Sequence, residues 1–333
     1  MAARRASQHA FTIVEMLVVI SVIAALIALL LPAINRARAA AKKTEEASNL
    51  RQVGTAWMVY ANNNNEAVLP GFLHPDVQSD TYDGAWDIAY RFPDKSLISP
   101  EDAEEWPWRL LGYLNYSHNI VHGYLNEADT SPLAMIDHAG EVAEQPAFGY
   151  NAYYIGGWYP EHTEWQQFDH PMHRFYKVAP LDESGQPAIV HPTEDGEITV
   201  QVNVVVRSPS SITETDRLIL FCGATVAQPG VRGRIDDSHP GSHYVVPPYL
   251  ADQPQWQRTG GGIEVLADDT AIPAARYTAQ VGALHADLHW APHSPGELQD
   301  MRYWINNVVQ WTPQKEGEPS TYDFFMHSPK PLY

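Results

Sequence analysis

The hydrophobic pattern near the N-terminus changes character once. Residues 11–31, FTIVEMLVVISVIAALIALLL, are apolar without a period and hold one charge, Glu15. From residue 33 to about 61 the chain turns polar and alanine-rich, with charges at i,i+3 and i,i+4 spacing. Alanine and such pairs favour helix. Leu50, Val53, Trp57 and Tyr60 recur at helical spacing and form one apolar stripe. Residues 11–61 are therefore predicted to be one helix, oily in its first half and amphipathic in its second. Asn62, Asn63, Asn64 and Asn65 are expected to end it, because asparagine tolerates left-handed backbone.

Further along, the period becomes two. Ile198, Val200, Val202, Val204 and Val206 alternate with polar residues, which predicts a half-buried antiparallel strand over 197–206. Residues 217–222 form a continuous apolar run and predict a central strand. Short strands are expected at 263–266 and 283–290. A helix is expected after Ser294-Pro295-Gly296-Glu297, a capping box with proline at the first helical position. Leu298, Met301, Ile305 and Val308 would be its apolar face. Residues 66–145, rich in Pro, Asp, His and Trp, predict long loops and short helices over the sheet. The pattern implies an α+β fold: a long N-terminal helix packed on an antiparallel β-sheet with long loops. Three parts are predicted: a basic leader at 1–10, the helix at 11–61 and a globular region at 62–333.

Charge narrows the partners. The chain of 333 residues carries −19, yet residues 1–10 and 11–61 each carry +2, so residues 62–333 carry −23. A domain this acidic is not built for nucleic acid, which requires a basic face. Cys222 is the single cysteine, so no intramolecular disulfide can form. It lies in an apolar run and is expected to be buried and inert.

The 21 residues 11–31 would span about 32 Å as a helix, roughly a bilayer's hydrocarbon thickness. A lone acid four residues into such a span is costly unless it meets a cation. Cleavage between Ala10 and Phe11 would create one, the amine of Phe11 on a neighbouring copy. Here the residues carry a family resemblance. His9-Ala10-Phe11-Thr12-Ile13-Val14-Glu15, then the apolar run, then Pro32, resembles the leader and first helix of type IV prepilins and type II secretion pseudopilins. The resemblance implies that a membrane peptidase cuts after Ala10 and N-methylates Phe11, that Glu15 drives assembly, and that Pro32 bends the helix. Ala10 stands where that family usually has Gly. The segments 48–54 and 148–154 resemble prepilin-like proteins abundant in planctomycetes. A secretory signal cut after Ala37-Arg38-Ala39 would leave Glu15 without a purpose, and a plain anchor explains the oil but not the acid. Arg36, Arg38, Lys42 and Lys43 follow the span and outnumber Arg4 and Arg5, so charge counting alone favours the opposite orientation.

Candidate chemistry downstream is thin. In a strand, His285, Asp287 and His289 would share a face, and two imidazoles with a carboxylate can hold zinc or iron. The same residues resemble a C-terminal family motif of His, nine residues, then Asp-Gly-His, with Tyr277 at the first His and Leu288 at the Gly. That resemblance implies a fold-fixing hydrogen-bond network. Residues 80–87 hold acids around Gly84 like a partial calcium loop, without the terminal Glu. Trp106-Pro107-Trp108 and Trp158-Tyr159 could stack on sugars or fill cores.

The expectation is a structural subunit of a type II secretion or type IV pilus-like filament, with no cofactor and no enzymatic activity. The resemblance implies partners: copies of itself and other pseudopilins through the helix, the prepilin peptidase, and an inner-membrane assembly platform. It also implies a single-pass inner-membrane protein with its C-terminal domain in the periplasm. The alternative is a membrane-anchored adhesin, displayed by the same machinery and binding a sugar or cell-surface ligand. A tethered metal-dependent hydrolase would rest on the His-Asp-His residues alone.

Overall fold

The computed structural model describes residues 13–78, 90–122, 139–159, 175–177, 201–203, 205–227, 232–233, 240–250, 253–260, 262–267, 270–276, 279–306, 308–310 and 325–326. Contacts divide the chain into two units, 1–44 and 45–333, and the division falls inside the first helix. That helix, α1, is continuous over Ile13–Asn63, as the two-part pattern predicts. It stops where the asparagines stand. Asn65 and Glu66 adopt φ of 54° and 64°, and the Glu66 N–H bonds back to the Ala61 carbonyl at 2.9 Å.

Within the second unit the central element is a five-stranded antiparallel sheet. Its strands are β1 (Phe148–Tyr150), β2 (Ile219–Ala227), β3 (Thr270–Pro273), β4 (Val281–His285) and β5 (Trp290–His293). Cys222 of β2 lies opposite Gly149 of β1 and Ala283 of β4, Thr225 pairs with Ile272 of β3, and Ala283 pairs with Ala291 of β5. The apolar run predicted to be a central strand is this β2. It extends to Ala227 because the following small and β-branched residues suit a strand buried on both faces.

The two faces hold different cores. Leu50, Val53, Trp57 and Tyr60 of α1 pack with Tyr150, Phe221 and Leu284 on one side. Ile219, Cys222, Val281 and Ala283 meet Trp256, Leu298, Met301 and Trp304 on the other. The predicted helical stripe is fully buried. A buried relay ties stem to sheet: the Trp57 indole N–H donates to the Tyr150 hydroxyl at 2.9 Å, which donates to the Leu69 carbonyl at 3.0 Å. Asn151 continues the tie from the turn after β1. Its amide donates to the carbonyls of Ile219 at 3.0 Å and Trp304 at 2.9 Å.

Three sequence expectations are corrected. The strand expected over 283–290 ends at His285, and residues 286–289 turn the chain into β5. Asp287 forces this turn by accepting the His289 backbone N–H at 3.0 Å. Leu288 takes φ 66°, a left-handed conformation that costs a branched side chain about 1–2 kcal/mol. The helix expected after Ser294 is instead two 3₁₀ turns, Glu297–Gln299 and Met301–Tyr303. The capping box closes, with the Ser294 N–H donating to the Glu297 carboxylate at 2.7 Å. Asp300 then takes extended backbone and caps the second turn through the Arg302 N–H, because aspartate competes with helix by capping. Leu298, Met301 and Ile305 are buried as expected, whereas Val308 belongs to the strand Val308–Gln310. Of the alternating segment 197–206, Gln201–Asn203 is a strand paired with Phe175–Lys177, and residues 197–200 and 204 lie outside the described residues.

Between residues 66 and 145 the described chain holds short helices, Pro75–Gln78, Trp106–Leu111, His118–His122 and Ala139–Glu144, as the composition predicts. Trp106 and Trp108 sit in the core, with indole N–H groups donating to the His243 carbonyl at 2.6 Å and the Ala139 carbonyl at 2.9 Å.

Candidate functional site

The first candidate is the start of α1. Glu15 lies in its first turn and is exposed, and Pro32 sits inside the helix, which continues through it. Proline there removes the bond its N–H would make to the carbonyl of Ala28. The apolar side chains of this half are bare: Leu17, Ile20, Leu26 and Leu30 each leave more than half their surface exposed. A bare apolar cylinder in water is not a stable end state, and this stretch is long and apolar enough to cross a membrane. Ala10 and Phe11, the expected cleavage and methylation positions, lie outside the described residues.

Residues 5–31 match the family described as the prokaryotic N-terminal methylation motif. The matched stretch contains Ala10, Phe11 and Glu15 and ends at Leu31, one residue before Pro32. The chain therefore carries a prepilin-type, type IV pilin-like N-terminus, the kind of segment that a prepilin peptidase processes and that assembles into filaments. A methylation motif on an exposed apolar helix also marks this N-terminus as a membrane anchor. No curated protein and no solved structure matched the chain.

The second candidate is the β4–β5 turn. The structure does not align the three residues on one strand face, as the sequence suggests, but gathers them around a turn. His285 is buried at the end of β4, whereas Asp287 and His289 are exposed in the turn. Asp287 and His289 form their own ion pair at 2.6 Å. Partial burial pushes the Asp287 carboxyl up, but the His289 backbone N–H and ring outweigh it and hold the carboxyl below its usual range. The His285 and His289 rings stack at 4.2 Å and 5°, so their in-plane lone pairs do not converge on one point. Among the described residues, no group of three or more His, Cys, Asp or Glu side chains is placed to hold a metal ion. The calcium-like segment 80–87 lies outside the described residues.

The residue that sequence reasoning missed is His293, which stands opposite Val281 in the hairpin register but reaches His285 through its side chain. Its Nε2 lies 2.9 Å from Nε2 of His285, while His285 Nδ1 lies 2.8 Å from the Arg217 carbonyl. A carbonyl only accepts, so His285 Nδ1 carries the proton. A neutral His285 then presents Nε2 as an acceptor, and His293 Nε2 donates to it. Burial, and next the neighbouring His289, push the His285 imidazole down to about 4, which keeps this tautomer in neutral solution.

Arg109 was also missed. It is buried in the helix Trp106–Leu111 and donates to the Pro70 carbonyl at 2.6 Å and to the Glu104 carbonyl. Its only sequence signal was its position beside two tryptophans. Cys222 is buried as expected, and burial, with Glu46 nearby, pushes its thiol well above the usual range. A nucleophilic thiol needs the opposite environment.

Proposed function

We propose that this chain is a pseudopilin-type structural subunit of a type II secretion or type IV pilus-like filament. The observation that carries the reading is the methylation motif at 5–31, which covers the exposed apolar half of α1 and its one acid, Glu15. In this reading the helix spans the inner membrane, and residues 62–333 lie on the periplasmic side. The peptidase cuts after Ala10, and the freed Phe11 amine of one copy neutralises Glu15 of the next. Function is mechanical: helices bundle, and the acidic domains are carried outward. No enzymatic chemistry and no cofactor belong to this reading. The adhesin alternative drew on tryptophans able to stack on sugars, and Trp106 and Trp108 are core residues.

Mass spectrometry of the protein from membranes of its own host tests the reading. The expected N-terminal peptide begins with N-methylated Phe11. An intact leader, or a start near residue 40, would overturn it.

A further inference from the structure

Four glycine and carboxylate positions in the second unit interdigitate in a way that core burial alone does not require. A Cβ placed on Gly54, in the stem of α1, would lie 2.4 Å from Leu284 Cδ2 and 2.9 Å from Leu288 Cδ2. Leu284 is the penultimate residue of β4 and Leu288 is the left-handed residue of the hairpin turn. A Cβ on Gly282, two residues earlier on the same face of β4, would lie 2.7 Å from the Glu46 carboxylate, with the Trp290 indole nitrogen at 2.9 Å. A Cβ on Gly223, in β2, would lie 3.3 Å from the other oxygen of Glu46. Glu46 is buried, and it sits eight residues, or about 12 Å, before Gly54 along α1.

We infer that the β4–β5 hairpin is a keyed clamp that sets the axial register of the α1 stem on the sheet. One key is apolar: Leu284 and Leu288 enter the gap at Gly54. The other is polar: the Glu46 carboxyl group enters the gap left by Gly223 and Gly282. The stripe Leu50, Val53, Trp57 and Tyr60 supplies most of the buried surface but specifies position weakly, since a shift of one turn, about 5.4 Å, presents similar apolar residues to the sheet. The keys remove that freedom. A slid stem would press the Glu46 carboxylate onto apolar side chains and set bulky residues against Leu284. A single buried polar group fixing the register of an apolar interface is a well-attested use of such groups. The hairpin is braced from behind by the Arg217–His285–His293 hydrogen bonds, so Leu284 and Leu288 meet the stem on a fixed backbone. Use of this clamp as the point where load passes from filament helix to domain rests on the filament reading. The clamp itself does not.

Register can be read directly. The Asn49 side-chain amide donates to the Asn119 carbonyl at 3.4 Å, so Asn49→Cys with Asn119→Cys puts two thiols on segments in contact, and the yield of disulfide on oxidation, compared with that of the otherwise unchanged chain, reports the native position of the stem. The full chain is purified in detergent and oxidised, with amide exchange over residues 45–63 measured in parallel; neither readout needs assembly. Gly54→Leu is expected to lower disulfide yield and speed stem exchange, each at least about fivefold. Gly282→Leu is expected to do the same. Gly54→Ala combined with Leu284→Ala moves the missing volume from helix to sheet and is expected to recover both readouts relative to either single change. Native yield and exchange in both leucine variants would overturn the clamp. If those variants do not fold, the swap decides: a double variant no better than its singles overturns it.

Discussion

One helix carries two opposite surfaces. Before residue 32 its apolar residues lie on all sides and are exposed, whereas between residues 46 and 61 most of them, Val59 excepted, lie on one face and are buried. Backbone geometry is the same in both. The difference is which solvent each half is written for. An all-round apolar helix belongs in lipid or in a bundle, and a striped helix belongs on a domain. The same contrast separates the two candidate sites. Glu15 is an acid exposed in the first turn of an apolar helix half, while Asp287 meets His289 within its own turn at 2.6 Å.

The largest test of this contrast is Glu15→Val. If the acid serves assembly, the variant stays in the membrane, since it removes a charge from the apolar span, but crosslinking between copies is abolished. Undiminished crosslinking would contradict pairing with the Phe11 amine.

Next in size is the stem. Trp57→Ala removes a buried ring and the donor to Tyr150, and is expected to destabilise the second unit by about 3–5 kcal/mol in thermal or denaturant unfolding. Leu17→Ala, in the exposed half, is expected to change that same unfolding by less than about 0.5 kcal/mol. Equal effects would erase the distinction between the halves.

The buried unit should also show a stability optimum in pH. Burial, and next the stacked His118, hold His122 down to about 3, and His285 is held at about 4. Both stay neutral when folded but charge when unfolded, so stability is full above about 6.5 and is lost as pH falls toward these values. Burial, and next Glu104, push Glu105 up to about 8 from 4.5, so the folded chain keeps a proton that the unfolded chain releases. Its contribution is present below 4.5 and is lost as pH rises toward 8. Burial likewise holds His243 down to about 3, and these histidines outweigh the one acid between 4.5 and 6.5, which places the maximum melting temperature near pH 6.5. A melting temperature flat from pH 5 to 8 would remove the basis for this balance.

The smallest expected effect is at the turn. Asp287→Ala breaks an exposed ion pair and one turn hydrogen bond, and should cost about 1 kcal/mol or less. We propose that this turn is structural and metal-free, so a chelator should leave the melting temperature of the full chain unchanged. Tight zinc binding lost in His289→Ala or His293→Ala would reverse that view.

The one-dimensional signals in the chain are the ones that local chemistry completes. The length and two-part character of α1, its end at the asparagines and the stripe from Leu50 to Tyr60 all follow from period, composition and backbone preference within a few residues. So do the apolar run that becomes β2 and the motif around Phe11 and Glu15. Features that depend on two distant segments meeting were decided only in three dimensions. Asp287 and Leu288 look like strand residues until a turn is drawn through them, because the alternation His-Ala-Asp-Leu-His is equally compatible with either conformation. His293 becomes the partner of His285 only through a side-chain contact across the folded hairpin, and Gly54 and Glu46 acquire roles only against Gly282 and Leu284. A period can say which face of an element is oily. It cannot say where along that face a neighbour stops, since that depends on gaps and buried polar groups whose counterparts lie more than 170 residues away in the chain.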